Sequence, residues 1–406
     1  MTRKQDPIKR VELADGRIRY RFVVDLGAKP DGRRDQKTMT FDTQREARAE
    51  RARIISERAT GTLVRPNKKL TVEQVATEFL TAKADAGKKP STVRSYQDAL
   101  APLVDRHGKL PIQALDIRHL EALRRDMLAG RTRRIGTGDL APRTVNLALG
   151  VSTMLLKYAM RRRLVGHNVA ELVDRVPADP DAGSDRAAWQ TADAVVFLRG
   201  VRNDRLHAAW MLSLLGLRRG EVLGLRWLDA DLTGERAAER GFPAGTPTLA
   251  VVNNRTCVAG KIIEGTPKGR GRRRVPHLPI PRPLVDALKA LKATHAAEKL
   301  AAGEAYGSCP LCGGAHVVVD ELGAPFRPAR YSERFEALVK SAGLPRLVLH
   351  GSRHCAASIL ADLGVPDIVA AAWLGQTDVA VTKGYQHVMN DRIAEASRSL
   401  GEALTG

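Results

Sequence analysis

Apolar and polar positions along the chain follow two different periods. From Arg17 to Val24 they alternate and then run together (Arg17-Ile18-Arg19-Tyr20-Arg21-Phe22-Val23-Val24), the mark of a half-buried strand, and Gly27, Pro30 and Gly32 punctuate its end. Gln36 to Phe41 reads as a second strand and Arg10 to Leu13 as a short one before both. Thr43 is placed to cap a charged helix over Gln44 to Ala59. Residues 1–65 therefore predict a small sheet with one helix. On the central strand Arg17, Arg19 and Arg21 fall on one face, because successive side chains point to opposite sides. Such a row either lies in a groove against phosphates or forms the solvated outer face of the sheet.

From residue 70 the period becomes that of amphipathic helices. Thr71-Val72-Glu73-Gln74 is a capping box, and Val72, Val75 and Phe79 follow at helical spacing until Gly87. Pro90 opens a second helix with Val93, Tyr96, Leu100 and Leu103 on one stripe, closed by Gly108. Asp116 caps a third, carrying Ile117, Leu120 and Leu123, and Pro142 opens a fourth that runs towards Arg163. A basic, glycine-containing loop, Arg131 to Gly138, separates the last two. The stretch 176–184, with two prolines and a glycine, reads as a linker. Beyond Trp189 the pattern runs helix, helix, two or three strands, then several helices. The expected fold is multidomain and mainly α: a small β-sheet plus helix (1–65), a helical bundle (69–176) and an α-rich domain with a small antiparallel sheet (186–406).

A length of 406 residues agrees with two to three domains, and 43% hydrophobic residues exclude wholesale disorder. Charge changes the picture more. Lys and Arg number 66 against 45 Asp and Glu, a net +21. Residues 1–70 carry 19 basic and 10 acidic groups, residues 71–180 carry 18 and 12, and the remainder 29 and 23. The excess runs the whole length, which suits a chain that holds a polyanion along several modules rather than by one tail. Met1 to Arg10 has no apolar core of a secretory leader, and the longest apolar stretch, around Ala208 to Leu217, is too short for a bilayer. Four cysteines in this length make no disulfide scaffold, so a soluble, reduced, intracellular protein is expected.

The last 220 or so residues carry the chemistry. Leu215-Gly216-Leu217-Arg218-Arg219-Gly220-Glu221-Val222-Leu223-Gly224-Leu225-Arg226-Trp227 comes first. Thr266-Pro267-Lys268-Gly269 then leads into Arg272-Arg273-Arg274, followed by His350-Gly351-Ser352-Arg353-His354. Leu374-Gly375-Gln376 and Thr382-Lys383-Gly384-Tyr385-Gln386-His387 close the series. In order and spacing these motifs resemble the tyrosine recombinases, the phage integrase family. The likeness covers about 186 to 398; the 70–176 bundle resembles that family's core-binding domain, and 1–65, less specifically, its arm-binding domain.

The residue types fit the chemistry the resemblance implies. Breaking a phosphodiester without metal or ATP needs a nucleophile, charge neutralisation and a proton for the leaving oxygen. Arg218 and Arg353 can fork onto non-bridging phosphate oxygens. Tyr385 can attack, leaving a 3′-phosphotyrosine and a 5′-hydroxyl. Lys268 can protonate that leaving oxygen, and His350 can shuttle the tyrosine proton or hydrogen-bond the phosphate. Glu221 is expected to brace Arg218 or His350. Gln376, nine residues before the tyrosine, stands where the family usually has histidine or tryptophan. Its amide can donate to a phosphate oxygen but cannot act as acid or base. The resemblance further implies DNA contacts from Arg17, Arg19, Arg21, Arg143, Arg272 and Arg273, with no cofactor. It also implies a C-shaped clamp on double-stranded attachment sites, a homotetramer on DNA, a directionality factor and a DNA-bending protein as accessories, and a place in the bacterial cytoplasm at the nucleoid. A type IB topoisomerase-like enzyme and a non-catalytic DNA-binding regulator remain as alternatives.

Taken singly, each residue has a plainer reading: a surface arginine, a core tyrosine. Tyr96 lies on an apolar stripe, Tyr158 beside one, and Tyr331 near a helix start. Cys309-Pro310-Leu311-Cys312-Gly313-Gly314-Ala315-His316 suggests zinc, but a structural zinc wants four ligands, and Asp320 or another chain would have to supply the fourth. A reduced turn without metal is the expectation. The tail, with Ile393, Ala396, Leu400 and Leu404 at helical spacing, could dock on its own domain or on a neighbour.

Overall fold

A computed structural model of the chain describes residues 6–13, 16–28, 33–59, 64, 67, 69–132, 138–177, 189–267, 277–375 and 386–405. The chain divides into two compact units, Met1–Pro180 and Asp181–Gly406. Within the first, apolar side chains gather into two separate clusters.

The first cluster lies under a three-stranded antiparallel meander, β1 (Lys9–Glu12), β2 (Ile18–Ala28) and β3 (Arg34–Phe41), covered by α1 (Gln44–Ala59). Phe22 and Val24 alternate inwards from β2 and meet Ile8, Ala47 and Ile54, while Phe22 stacks on Phe41 at 5.7 Å. The helix starts where the sequence places it because Thr43 and Glu46 exchange backbone and side-chain hydrogen bonds.

Four helices surround the second cluster: α2 (Val72–Asp85), α3 (Pro90–His107), α4 (Ile117–Leu128) and α5 (Pro142–Arg161). Thr71 and Gln74 close a reciprocal capping box, and Asp116 caps α4 through the His119 N–H. Phe79 sits at the centre, with Tyr96 and Tyr158 packed on its ring at 6.2 and 5.8 Å. Those two tyrosines are packing residues.

The second unit opens with α6 (Thr191–Gly200), α7 (His207–Leu214) and α8 (Arg219–Gly224). It carries two small antiparallel sheets rather than one. Strands β4 (Ala230–Asp231), β5 (Thr248–Ala250) and β8 (His277–Pro279) form the first; β6 (Asn254–Val258) and β7 (Lys261–Gly265) form a separate hairpin. Helices α9 (Arg282–Ala302), α10 (Pro328–Ser341), α11 (Gly351–Asp362), α12 (Asp367–Leu374) and α13 (Gln386–Thr405) complete it. Trp189, Phe197, Trp210, Tyr331 and Phe335 make an aromatic centre, with Trp210 stacked on Tyr331 at 4.5 Å.

The tail docks on its own unit. Ile393, Ala396, Leu400 and Leu404 are all buried in the main core, and the Ser397 hydroxyl donates to Pro279 O on β8 at 3.1 Å. Burying each of the three larger side chains stabilises this seat by roughly 1.5–3 kcal/mol. Among the described residues no helix is long and apolar enough to cross a membrane.

Candidate active site

Arg218 is held where α7 turns into α8. The turn passes through Gly216, at φ +92°, a conformation that favours glycine. A Cβ there would also stand 2.5 Å from Leu374 Cδ2 and 3.1 Å from Ala356 Cβ, so α11 and the end of α12 press directly on this backbone. On α8, Gly220 and Gly224 share one face, and Cβ atoms on them would run into the backbone and side chain of Asn254 and the backbone of Arg255. The Gly-x-x-x-Gly spacing is therefore what seats strand β6 against the helix that follows Arg218.

Glu221 braces Arg218. Its side chain is fully buried and accepts the Arg218 backbone N–H and Nη1, both at 2.9 Å. A glutamine there keeps one acceptor oxygen and turns the other into a donor facing a guanidinium. Replacing Glu221 by glutamine is expected to lower unfolding free energy by about 1–3 kcal/mol. DNA cleavage should slow about tenfold as the arginine loses its anchor. Urea titration and a cleavage time course check both effects.

Arg353 rises from the first turn of α11 into the same place. It is 7% exposed, and its Nη1 donates to Gly216 O at 2.8 Å while Nη2 donates to Leu374 O. Arg218 Nη2 donates to the next carbonyl, Gly375 O, at 3.4 Å. Two guanidiniums from distant segments thus meet on consecutive carbonyls at the C-terminal, negative end of α12. Gly375, at φ +61°, ends that helix, and Trp373 Nε1 fastens it to Leu215 O at 2.7 Å.

His350 precedes α11, is exposed, and packs edge-on against His354 with ring centres 5.5 Å apart. Arg218, His350 and Arg353 line one open cleft of about 510 Å³, together with Arg219 and Arg255. Arg219 donates to Ser332 Oγ at 2.8 Å. Sequence reasoning missed Arg255, which sits in a short strand with no motif to flag it.

The other expected site residues, Lys268, Gln376 and Tyr385, lie outside the described residues, as do Arg272 and Arg273. The described tyrosines have other occupations. Tyr331 is fully buried; its hydroxyl donates to Ala209 O and shares a hydrogen bond with Ser213, and burial pushes its phenol far above the ordinary range. Tyr306 is also raised, by burial first and by the nearby Glu298 carboxylate, which works against a phenolate.

On the N-terminal sheet, Arg19 and Arg21 stand on the face away from α1, and Arg17 is exposed in the turn just before β2. Its position before the strand, with its carbonyl accepting from Leu13 N–H, trims the expected three-arginine row to two. Lys9 extends it instead, directly across from Arg21 in the β1–β2 register. Arg19 pairs with the exposed Asp42 at 2.5 Å, and Arg21 Nε reaches Thr40 Oγ1 at 3.4 Å. Arg143 is exposed in the first turn of α5, with no acidic residue in that turn.

A mainly helical unit with small antiparallel sheets thus brings paired arginines and a histidine together in one cleft. No known protein-family model matches the chain. A tyrosine recombinase XerC-like protein of Caldanaerobacter subterraneus subsp. tengcongensis is 22% identical over 397 residues, spanning 96% of this chain and 97% of its own. The Tn1549 transposon integrase, solved with a circular intermediate DNA, superposes with a TM-score of 0.56 at 17% identity, over 80% of this chain and all of that one. The lambda integrase, solved as a tetramer bound to a Holliday junction, gives 0.51 at 14% identity over 94% of this chain and 99% of that one. The chain thus has the fold of the lambda and Tn1549 integrases, and over nearly its whole length its sequence is similar to that of a tyrosine recombinase XerC-like protein.

Proposed function

We propose that this chain is a tyrosine-type site-specific recombinase that cuts and rejoins duplex DNA at defined attachment sites, as the integrase of a phage or other mobile element. The observation that carries the reading is the convergence of Arg218 and Arg353 beside His350 in one basic cleft. In the proposed reaction the Tyr385 oxygen attacks phosphorus, and the bond from phosphorus to the 5′-oxygen breaks. Lys268 gives that oxygen a proton, and Arg218, Arg353 and the Gln376 amide take up charge on the non-bridging oxygens. His350 carries the tyrosine proton or hydrogen-bonds the phosphate. The 3′-phosphotyrosine keeps the energy of the broken ester, so a second 5′-hydroxyl reverses the step on a new strand without ATP.

The lambda integrase tetramer on a Holliday junction supports four protomers exchanging strands in two steps. The bundle 69–176 is assigned to the core site and 1–65 to separate arm sites, with a directionality factor and a DNA-bending protein as further partners, in the bacterial cytoplasm at the nucleoid. A nicked duplex carrying the core site tests the reading. The enzyme should trap as a covalent adduct on denaturing gels. A non-catalytic regulator would trap none, and a topoisomerase-like enzyme would relax plasmid without a defined site.

The arm assignment has its own test. Lys9 and Arg21, opposite each other, repel in the absence of a polyanion. Replacing Lys9, Arg19 and Arg21 by glutamine should leave thermal stability equal or slightly higher and core-site cleavage unchanged. Arm-site affinity should drop, with its salt slope shallower by about 2–3. Unchanged arm binding in a filter-binding salt series would reject this face as the contact.

A further inference from the structure

The geometry points to a structural metal site, for zinc or a similar thiophilic divalent ion, built from Cys309, Cys312, His316 and Glu264. One donor atom from each lies within 4.8 Å of all the others. Donors about 2.1–2.3 Å from a tetrahedral ion stand about 3.4–3.8 Å apart, and two of the separations here are close to that. Cys309 Sγ is 3.3 Å from Glu264 Oε1, and His316 Nε2 is 3.1 Å from the same oxygen. The sequence offers only three of the four ligands and leaves the last to Asp320 or another chain. Asp320 instead spends its carboxylate on the Leu322 and Ala324 N–H groups of its own turn. The fourth donor comes from β7, far from the loop in sequence.

His316 is the independent sign that the cluster has an occupant. It is 1% exposed, and neither ring nitrogen makes a well-formed hydrogen bond; Nε2 faces Glu264 Oε1 off the line a hydrogen bond needs. A buried imidazole left so calls for a partner, and a shared cation satisfies both groups at once. The surroundings suit a metal. Asn253 holds Glu264 Oε2 at 3.2 Å, orienting Oε1 towards the thiols. Arg255, 5% exposed, touches both Glu264 Oε1 and Cys309 Sγ. Metal binding would release both thiol protons, leaving two thiolates, a carboxylate and a neutral imidazole around a divalent charge. The net −1 is offset by the buried Arg255 guanidinium. The chain turns tightly through the two cysteines, with Gly313, just after Cys312, at φ +64° and its N–H bonded to Cys309 O at 2.8 Å; the Cys-x-x-Cys spacing is one found in zinc sites.

The ion would act as a staple. Glu264 belongs to the hairpin whose other strand, β6, is seated on α8. The Cys/His loop is tied to the chain just after α8, through Trp227 N–H to Ala315 O at 3.0 Å and Val317 N–H to Leu225 O at 2.9 Å. The metal therefore fastens together the two pieces that back the Arg218 helix.

The test uses the full chain purified with a thiol reductant. Metal analysis should find one zinc per chain, and replacement by Co²⁺ should give the ligand-field bands of a tetrahedral ion with thiolate charge-transfer absorption. Cys312 is exposed, so Cys312→Ser should fold normally by circular dichroism yet bind Co²⁺ at least about tenfold more weakly; Glu264→Gln should weaken it as well. The proposal is overturned if the reduced protein binds no stoichiometric metal. It is equally overturned if both variants match the parent, or if a metal-free Cys309–Cys312 disulfide is the state recovered. DNA cleavage through Tyr385 stands or fails separately, by the adduct assay.

Discussion

Replacing Tyr385 by phenylalanine is expected to abolish the covalent protein–DNA adduct, with cleavage falling by at least about 10³-fold, while DNA binding and thermal stability stay at their original values. The substitution removes one oxygen. Three of the described tyrosines have other work: Tyr96 and Tyr158 pack on Phe79, and Tyr331 is sealed in the core with its hydroxyl engaged by Ala209 and Ser213. Water could in principle attack the same phosphate between the arginines, but it would leave a free 3′-phosphate and no adduct. A nicked core-site duplex, followed on denaturing gels and by mass spectrometry of the DNA ends, separates these products. An adduct that persists in Tyr385→Phe would place the nucleophile elsewhere and sink the proposed mechanism.

What the sequence makes legible is mostly local. Thr71, Asp116, Pro90 and Pro142 mark helix starts because a cap involves only neighbours three or four residues away. Arg218 and Arg353 stand out for the same reason, each in a short distinctive context. Their meeting on the carbonyls of Leu374 and Gly375 does not show in the sequence, since it depends on three elements folding together. Strands β4, β5 and β8 are two or three residues long, too short for a period of two to register, so a single sheet is expected where two exist. Glu264 is invisible as a partner of Cys309 because nothing in an isolated Lys-Ile-Ile-Glu-Gly strand says which loop it will face. The helical stripe of the tail is plain, but its receptor surface is assembled from α6, α9, α12 and β8, and only the assembled surface decides that the tail docks at home.

The two clamp arginines should part company when each is changed to lysine. Arg353 is almost fully buried and spans two carbonyls, Gly216 O and Leu374 O, with the two arms of its guanidinium. A lysine ammonium is a single point and cannot reach both, so one buried carbonyl is orphaned. Arg353→Lys is therefore expected to cost about 1–3 kcal/mol of stability together with about 10²–10³-fold in cleavage. Arg218 is partly open to solvent, and its firmest bonds run to Glu221, one of them from the backbone N–H, which lysine retains. Arg218→Lys should lose well under about 1 kcal/mol of stability, yet still slow cleavage about 10²-fold, because only the fork can hold two phosphate oxygens as their charge grows. Melting curves and adduct-formation rates measured on the same preparations give both axes. If the two variants lose stability equally, the difference in burial and bonding does not govern their roles. If either cleaves at the parental rate, that guanidinium is not part of the clamp. The α12 terminus takes part in the same competition. Its carbonyls now accept from both arginines, so a phosphate arriving in the cleft must compete with Leu374 O and Gly375 O for the same donors.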